Sequence, residues 1–187
     1  MKYWPLPDSY EDKLPKGEMS GAFWEERSGA FNCGVDIFAP IDSEVLSIDE
    51  GIVIDSGKFT SPEDEDYWNE TFYVIIKTKE KINYKYCEMS EIYVTIGNKL
   101  PSGVPIGKIG KTVNSHNIQD DAPYFVREIA YSDYPAKLHL ELYKAPIMEI
   151  RPYIAGNYEG EVKPKSLLDP NVYLMGLKKQ SLAHGHG

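Results

Sequence analysis

Residues 31–40 carry the strongest fold signal in this chain, and they run Phe31-Asn32-Cys33-Gly34-Val35-Asp36-Ile37-Phe38-Ala39-Pro40. The apolar alternation of this run is typical of a half-buried β-strand. It places Gly34 and Asp36 on one face and Val35 and Ile37 on the other. An acidic side chain within such a run, with Ala-Pro following it, predicts a functional site built on a strand.

The length and composition predict an all-β protein of one domain, or of one domain with a substantial appendage. A chain of 187 residues is long enough to bury a proper core. Its 14 Tyr, 13 Pro and 15 Gly favour short strands joined by turns over long helices. The net charge of −9 argues against nucleic acid as a partner, because no basic stripe is available to neutralise phosphates.

Neither a signal peptide nor a membrane segment is predicted. The N-terminus lacks the apolar core of a signal peptide, and no apolar run is long enough to span a bilayer. As written, the chain is therefore expected to be cytoplasmic. With no export signal, the two cysteines, Cys33 and Cys87, are expected to be reduced core thiols, with a disulfide as the alternative. Strand alternation points both away from the site face.

The chain divides into three predicted parts. Residues 1–30, rich in Pro and charge, form an N-terminal arm packed on the domain. Residues 31–143 form the β core, and residues 144–187 form a C-terminal extension whose last residues, 181–187, are expected to be disordered. Two long loops are predicted within the core. The first, residues 58–69, is acidic and turn-rich. The second, residues 111–136, is either functional or contains small elements.

Four segments, taken in their order along the chain, resemble the motifs of the lysostaphin-type zinc endopeptidases, which cleave peptidoglycan cross-bridges. The segments are Asn32-Cys33-Gly34-Val35-Asp36 before Ala39-Pro40, Tyr86-Cys87-Glu88-Met89-Ser90, residues 94–107 with their spaced Val, Gly and Ile-Gly, and Lys137-Leu138-His139-Leu140-Glu141. Residues 43–57 match the family's stretch rich in Gly and Val. The resemblance implies antiparallel sheets of the duplicated hybrid motif, barrel-sandwich-like, with long loops and a groove on one sheet. Members of this family are usually extracytoplasmic.

The resemblance also implies where a site would lie. The family's zinc ligands fall at Asn32, Asp36 and His139, and its two catalytic histidines fall at Glu88 and Lys137. Three of these five polar positions are therefore replaced. Catalytic zinc requires three protein ligands and an open position for water, and an Asn amide is a weak, neutral ligand.

The favoured hypothesis is a catalytically degenerate site on a retained fold, acting as a binding or scaffold module that takes a peptide, protein or glycan in its groove. No cofactor is then needed. Glu88 and Lys137 would form an ion pair across the groove. Asp36 and His139 would hydrogen-bond each other, with Asn32 as a third polar partner.

The alternative is an active zinc metalloendopeptidase with a rewired site, cleaving peptidoglycan or Gly-rich peptide bonds. Asp36, His139 and Glu88 would hold zinc at reduced occupancy, or Glu88 would act as general base with Lys137 stabilising the oxyanion. His116 is weighed as a substitute ligand, but an exposed loop position is favoured. His184 and His186 form a tail motif that could bind metal loosely.

A third hypothesis is a carrier module. Residues 39–57 and 94–107 also resemble the hybrid motif of lipoyl and biotinyl domains and of a sugar-uptake phosphocarrier. The lipoyl and biotinyl domains carry a Lys at a hairpin tip, within Asp-Lys-Ala or Met-Lys-Met, and neither sequence occurs here. The phosphocarrier requires an acceptor His, and the matching position holds Asn32 or Lys137. The carrier hypothesis is therefore ranked below the other two.

Overall fold

The computed structural model describes residues 1–146 and 150–179. The strands are β1 (Glu26–Arg27), β2 (Ala30–Asn32), β3 (Val35–Phe38), β4 (Glu44–Leu46), β5 (Gly51–Thr60), β6 (Thr71–Thr78), β7 (Ile82–Ile92), β8 (Lys99–Leu100), β9 (Pro105–Ile109), β10 (Lys137–Lys144), β11 (Tyr153–Ile154), β12 (Asn157–Tyr158) and β13 (Leu167–Leu168). The helices are α1 (Tyr124–Ala130), α2 (Pro170–Tyr173) and a 3₁₀ helix at Ser115–Asn117.

These strands build two antiparallel sheets. The larger follows the order β13-β10-β7-β6-β5-β8, with β3 added to β10 and the β4–β9 pair added through β7. The smaller follows the order β1-β2-β12-β11, so it joins the N-terminal part of the chain to the C-terminal extension. The prediction of an all-β, antiparallel fold is confirmed, although the sheets do not close into a barrel.

The large sheet has one apolar face and one polar face because its strands alternate. On β10, Leu138, Leu140 and Leu142 are fully buried in the main core, while Lys137 and His139 project from the opposite face. The first 25 residues form no strand, but they contribute to the same core through Trp4, Leu6 and Leu14. The polar face of β10 is where the predicted site residues collect.

Some boundaries differ from the sequence prediction. Strand β5 continues to Thr60, so the first part of the predicted 58–69 loop is sheet, paired with β6 through Phe72 and Thr71. The 111–136 connection contains the 3₁₀ helix and α1, small elements with no clear apolar period. His184 and His186, with the rest of residues 181–187, lie outside the described residues.

Candidate metal centre

Two paired strands bring the central acid and the central imidazole of the site together. In the β3–β10 ladder, Asp36 lies directly opposite His139, so both side chains project to the same face. Gly34 is required just before β3, since a Cβ there would collide with the main-chain oxygen of Leu140. This close approach explains the Gly that stands two residues before the Asp.

Asp36 is buried and accepts hydrogen bonds from three cationic side chains. The Nη2 of Arg27 lies 2.6 Å and the Nζ of Lys137 2.9 Å from its Oδ2, and the Nδ1 of His139 lies 2.7 Å from its Oδ1. Burial by itself would raise the pKa of Asp36. The positive charges of Lys137 and Arg27 and the hydrogen bond from His139 outweigh it and hold that pKa well below its usual range.

His139 is held between two carboxylates. Its Nδ1 faces Asp36, and its Nε2 lies 3.0 Å from the Oε1 of Glu141. Burial lowers the pKa of His139, but the hydrogen bonds to the two carboxylates raise it more strongly, to about 9. With a carboxylate oxygen facing each ring nitrogen, the site favours an imidazolium that donates both of its N–H groups.

Glu141 extends the cluster to a second set of donors. It accepts hydrogen bonds from the hydroxyls of Tyr143 and Tyr153, each at 2.6 Å, and the Nζ of Lys85 lies 3.3 Å from its Oε2. Burial raises the pKa of Glu141, but the charges of Lys85 and His139 and these hydrogen bonds lower it well below its usual range. Glu141 is thus a buried carboxylate with its acceptor positions occupied.

Glu88 and Lys137 complete the cluster on the side of the long loop. The Oε2 of Glu88 accepts a hydrogen bond from Thr112 at 2.7 Å, and its Oε1 lies 3.7 Å from the Nζ of Lys137. The predicted Glu88–Lys137 ion pair is therefore present, but the shorter contact of Lys137 is to Asp36. The lysine ammonium lies between the two carboxylates, where a bound cation would be attracted.

Asn32 does not join this cluster, so the prediction of a third polar partner for Asp36 and His139 is wrong. Its amide nitrogen donates instead to the main-chain oxygens of Gly21 and Ala22, at 3.3 and 3.0 Å. Its Oδ1 is buried and, among the residues that the structure describes, has no hydrogen-bond partner. The cause is that β2 belongs to the small sheet, whereas Asp36 belongs to β3 of the large sheet.

The predicted direction of Cys87 is also wrong. Cys87 lies directly opposite His139 in the β7–β10 ladder, so both project to the same face. The backbone of Glu88 has a φ of 66°, in the left-handed region, and this interrupts the alternation that the prediction assumed. Both cysteines are buried free thiols, and Cys33 packs with Tyr143 and Leu167.

The C-terminal extension covers the cluster. The β11–β12 hairpin pairs with β2, and the oxygen of Gly156 accepts a hydrogen bond from the amide of Cys33 at 2.8 Å. A Cβ on Gly156 would lie 2.5 Å from the Nε2 of His139, so the main chain rests directly on the imidazolium. Beside this hairpin remains a cavity of about 230 Å³, lined by Glu88, Lys137, His139 and aromatic residues such as Trp68 and Phe125.

The resemblance implies a zinc ion, which requires suitably spaced, deprotonated ligand atoms. Metal-ligand atoms of Asp36, Glu88 and His139 all lie within 4.8 Å of one another, so in type and spacing this group could hold a metal. Zinc ligands must be deprotonated, and a fully donating imidazolium is not a ligand. Arg27 and Lys137 already pair with Asp36, so zinc would have to displace these contacts to bind there.

Sequence-based prediction assigned no role to several residues of the cluster. Strand alternation placed Glu141 on the face of Lys137 and His139, so its position was available although no role was assigned. Arg27 and Tyr153 lie in segments without a regular pattern, and they reach the cluster through long-range pairing. His116 lies on the exposed 3₁₀ helix at Ser115–Asn117, away from the charged contacts described above.

The fold and the site positions together define a β-domain of the metallopeptidase type. The chain matches the profile of peptidase family M23 over residues 30–145, more than half of its length, and it belongs to that family. The β11–β12 hairpin that covers the cluster lies outside the matched region. The family is zinc-dependent.

Solved structures share the fold at low sequence identity. The catalytic domain of the antimicrobial peptidase lysostaphin from Staphylococcus simulans has a TM-score of 0.52 and 18% identity, covering 87% of this chain and 92% of that one. A chain of the SpoIIQ–SpoIIIAH pore-forming complex has a TM-score of 0.54 and 17% identity, covering 95% and 91%. The protein cbpa from L. salivarius REN has a TM-score of 0.52 and 18% identity, covering 92% and 94%.

A search of curated proteins found no match to the chain. In the part of the chain that the structure describes, no helix combines the length and apolar character needed to cross a membrane.

The raised pKa of His139 predicts a loss of stability in mild alkali. The unfolded His titrates near 6.5 and the folded one near 9, so the folded state binds more protons between these values. Stability is therefore full below pH 6.5 and falls as the pH rises through 9, by about 3 kcal/mol for this group. Urea unfolding of the protein and of His139→Gln from pH 6 to 10 measures it. A constant difference between the two across that range would contradict a charged His139.

Proposed function

We propose that this member of peptidase family M23 is a non-catalytic binding or scaffold module that works without zinc. The supporting observation is the arrangement around Asp36. Its carboxylate accepts hydrogen bonds from Arg27, Lys137 and a protonated His139. Three protein cations occupy the place of one metal cation. A peptidase of this type needs a metal-bound water, and here the ligand atoms of Asp36 and His139 are already paired with other protein groups.

The second candidate is an active zinc peptidase with Asp36, Glu88 and His139 as ligands, acting on peptidoglycan or Gly-rich peptide bonds. The spacing of those three residues favours it. To reach that state, His139 would have to lose a proton from a site that raises its pKa to about 9. Lys137 would also have to leave Asp36. Both changes cost free energy, and that cost lowers the affinity of the site for zinc.

Structural similarity leaves both uses of the fold open. Lysostaphin is described as an antimicrobial peptidase, and the SpoIIQ–SpoIIIAH assembly as a pore-forming complex. For this chain a protein or peptide partner is proposed, with a glycan as the alternative ligand. The β11–β12 hairpin covers the cluster, so the proposed partner binds the open part of the groove, about 1160 Å³ along Tyr73, Ile75, Tyr153 and Ile154.

Zinc content and peptide hydrolysis test the proposal directly. The purified protein is dialysed against zinc and analysed for bound metal, then incubated with oligoglycine and with cross-linked peptidoglycan peptides. We expect substoichiometric zinc and no cleavage, because the ligand positions are protonated or paired. Stoichiometric zinc together with cleavage that Glu88→Ala abolishes would establish the second candidate instead.

A further inference from the structure

A second open groove lies on the large sheet, apart from the charge cluster. It has a volume of about 690 Å³, and its lining combines apolar side chains with lysines: Ile52, Ile54, Leu100, Lys77, Lys79 and Lys99. We call it the lysine–isoleucine groove. It has no lining residue in common with the cavity beside His139.

The centre of this groove is a row of three side chains on neighbouring strands. Ile52 on β5 lies directly opposite Lys77 on β6 and directly opposite Lys99 on β8. Opposed residues project to the same face, so the isoleucine stands between two lysines. Ile52 is 43% exposed and Ile54 38% exposed, whereas Val53 between them is buried in the core. A surface strand position normally carries a polar residue, so the two isoleucines predict a contact surface.

The charge of the groove is opposite to that of the chain. Lys79 pairs with Glu50, but among the described residues neither Lys77 nor Lys99 forms an ion pair. Both are exposed, in a protein whose net charge is −9. An apolar centre flanked by unpaired lysines is complementary to an apolar side chain flanked by carboxylates.

We infer that the lysine–isoleucine groove docks an acidic polypeptide segment of a partner protein. An apolar side chain of that segment packs on Ile52 and Ile54, and its carboxylates pair with Lys77 and Lys99. This inference rests on the proposal that the chain is a binding module, and it adds a second docking surface, which shares Ile54 with the open part of the groove along Tyr73 and Ile75. A second copy of this chain is disfavoured as the occupant, because a two-fold interface would bring each lysine pair against its own copy.

Peptide binding tests the inference. The probe is a fluorescein-labelled nine-residue peptide that alternates Glu with Val and Leu, compared with the same peptide carrying Lys in place of Glu. Binding is measured by anisotropy, and the site is located by ¹H–¹⁵N chemical-shift changes. We expect the acidic peptide to bind more tightly, with shifts at Ile52 and Ile54. The double change Lys77→Glu and Lys99→Glu should weaken its binding roughly tenfold or more.

A matched variant separates local contact from overall charge. Lys13→Glu with Lys16→Glu alters two exposed lysines outside the groove and changes the net charge equally, so its affinity should stay within about threefold of the parent. The inference would be overturned if the two peptides bound equally, or if neither bound at concentrations up to about 1 mM. It would also be overturned if this control lost as much affinity for the acidic peptide as the Lys77 and Lys99 double variant. So would self-association that Ile52→Ser abolishes. Zinc-dependent cleavage with acidic-peptide binding intact would refute the proposed function alone.

Discussion

Asp36→Asn is expected to destabilise the protein by about 3–5 kcal/mol, the usual cost of leaving buried charges without their partner. The carboxylate of Asp36 is 1% exposed and balances Arg27, Lys137 and the imidazolium of His139. An Asn amide keeps the shape but removes the charge. Equilibrium unfolding in urea at pH 7 measures the change. The lost contacts are between protein groups, so the decrease in the free energy of unfolding should be the same with and without a chelator.

Asp55→Asn is the matched control for this change. Asp55 lies on the same sheet and accepts a hydrogen bond from the hydroxyl of Tyr73 at 2.9 Å, but it is only partly buried and forms no ion pair within the described part of the chain. Its loss should cost about 1 kcal/mol or less. If the two variants unfolded at the same urea concentration, the buried charge cluster would not be a main source of stability.

Gly156→Ala is expected to cost about 4 kcal/mol and to open the cover of the cluster. Two effects add here. Gly156 has a φ of 83°, which costs an L-residue about 1–2 kcal/mol. Its Cβ would also lie 2.5 Å from the Nε2 of His139, and forcing atoms into a filled core costs about 1–3 kcal/mol more. Thermal and urea unfolding measure the total.

The steric part of that loss can be isolated with a second glycine. Gly97 has a φ of 94°, and a Cβ there would meet none of the described residues within 4 Å, so Gly97→Ala carries the backbone strain alone. The difference between the two variants reports the contact with the imidazolium. Equal losses would mean that the β11–β12 hairpin does not rest on His139.

The strand-borne part of the site was predictable because strand geometry is periodic. Alternation placed Asp36 on one face of its strand and put Lys137, His139 and Glu141 on one face of another. The antiparallel β3–β10 pairing then brings Asp36 and His139 together. The family motifs add the order of the segments, and the match over residues 30–145 confirms the family.

The remaining contacts depend on features that have no period in the sequence. Arg27 reaches Asp36 from the first strand of a different sheet, and Tyr153 reaches Glu141 from the C-terminal extension. The left-handed backbone at Glu88 is a single-residue event, and it reverses the direction that alternation assigns to Cys87. Long-range pairing of the two chain ends decides what covers the site, and a local pattern cannot encode that.

The burial of the cluster also bears on how the protein responds to its medium. Dissolved ions screen exposed charges within about 10 Å at 0.1 M salt, but they act much less on pairs removed from water. The side chains of Lys137 and Asp36 are 5% and 1% exposed. This pair should therefore persist across wide changes in ionic strength. Unlike a diffusible ion, the ammonium of Lys137 is a cation covalently attached to the fold, and dilution cannot remove it from Asp36.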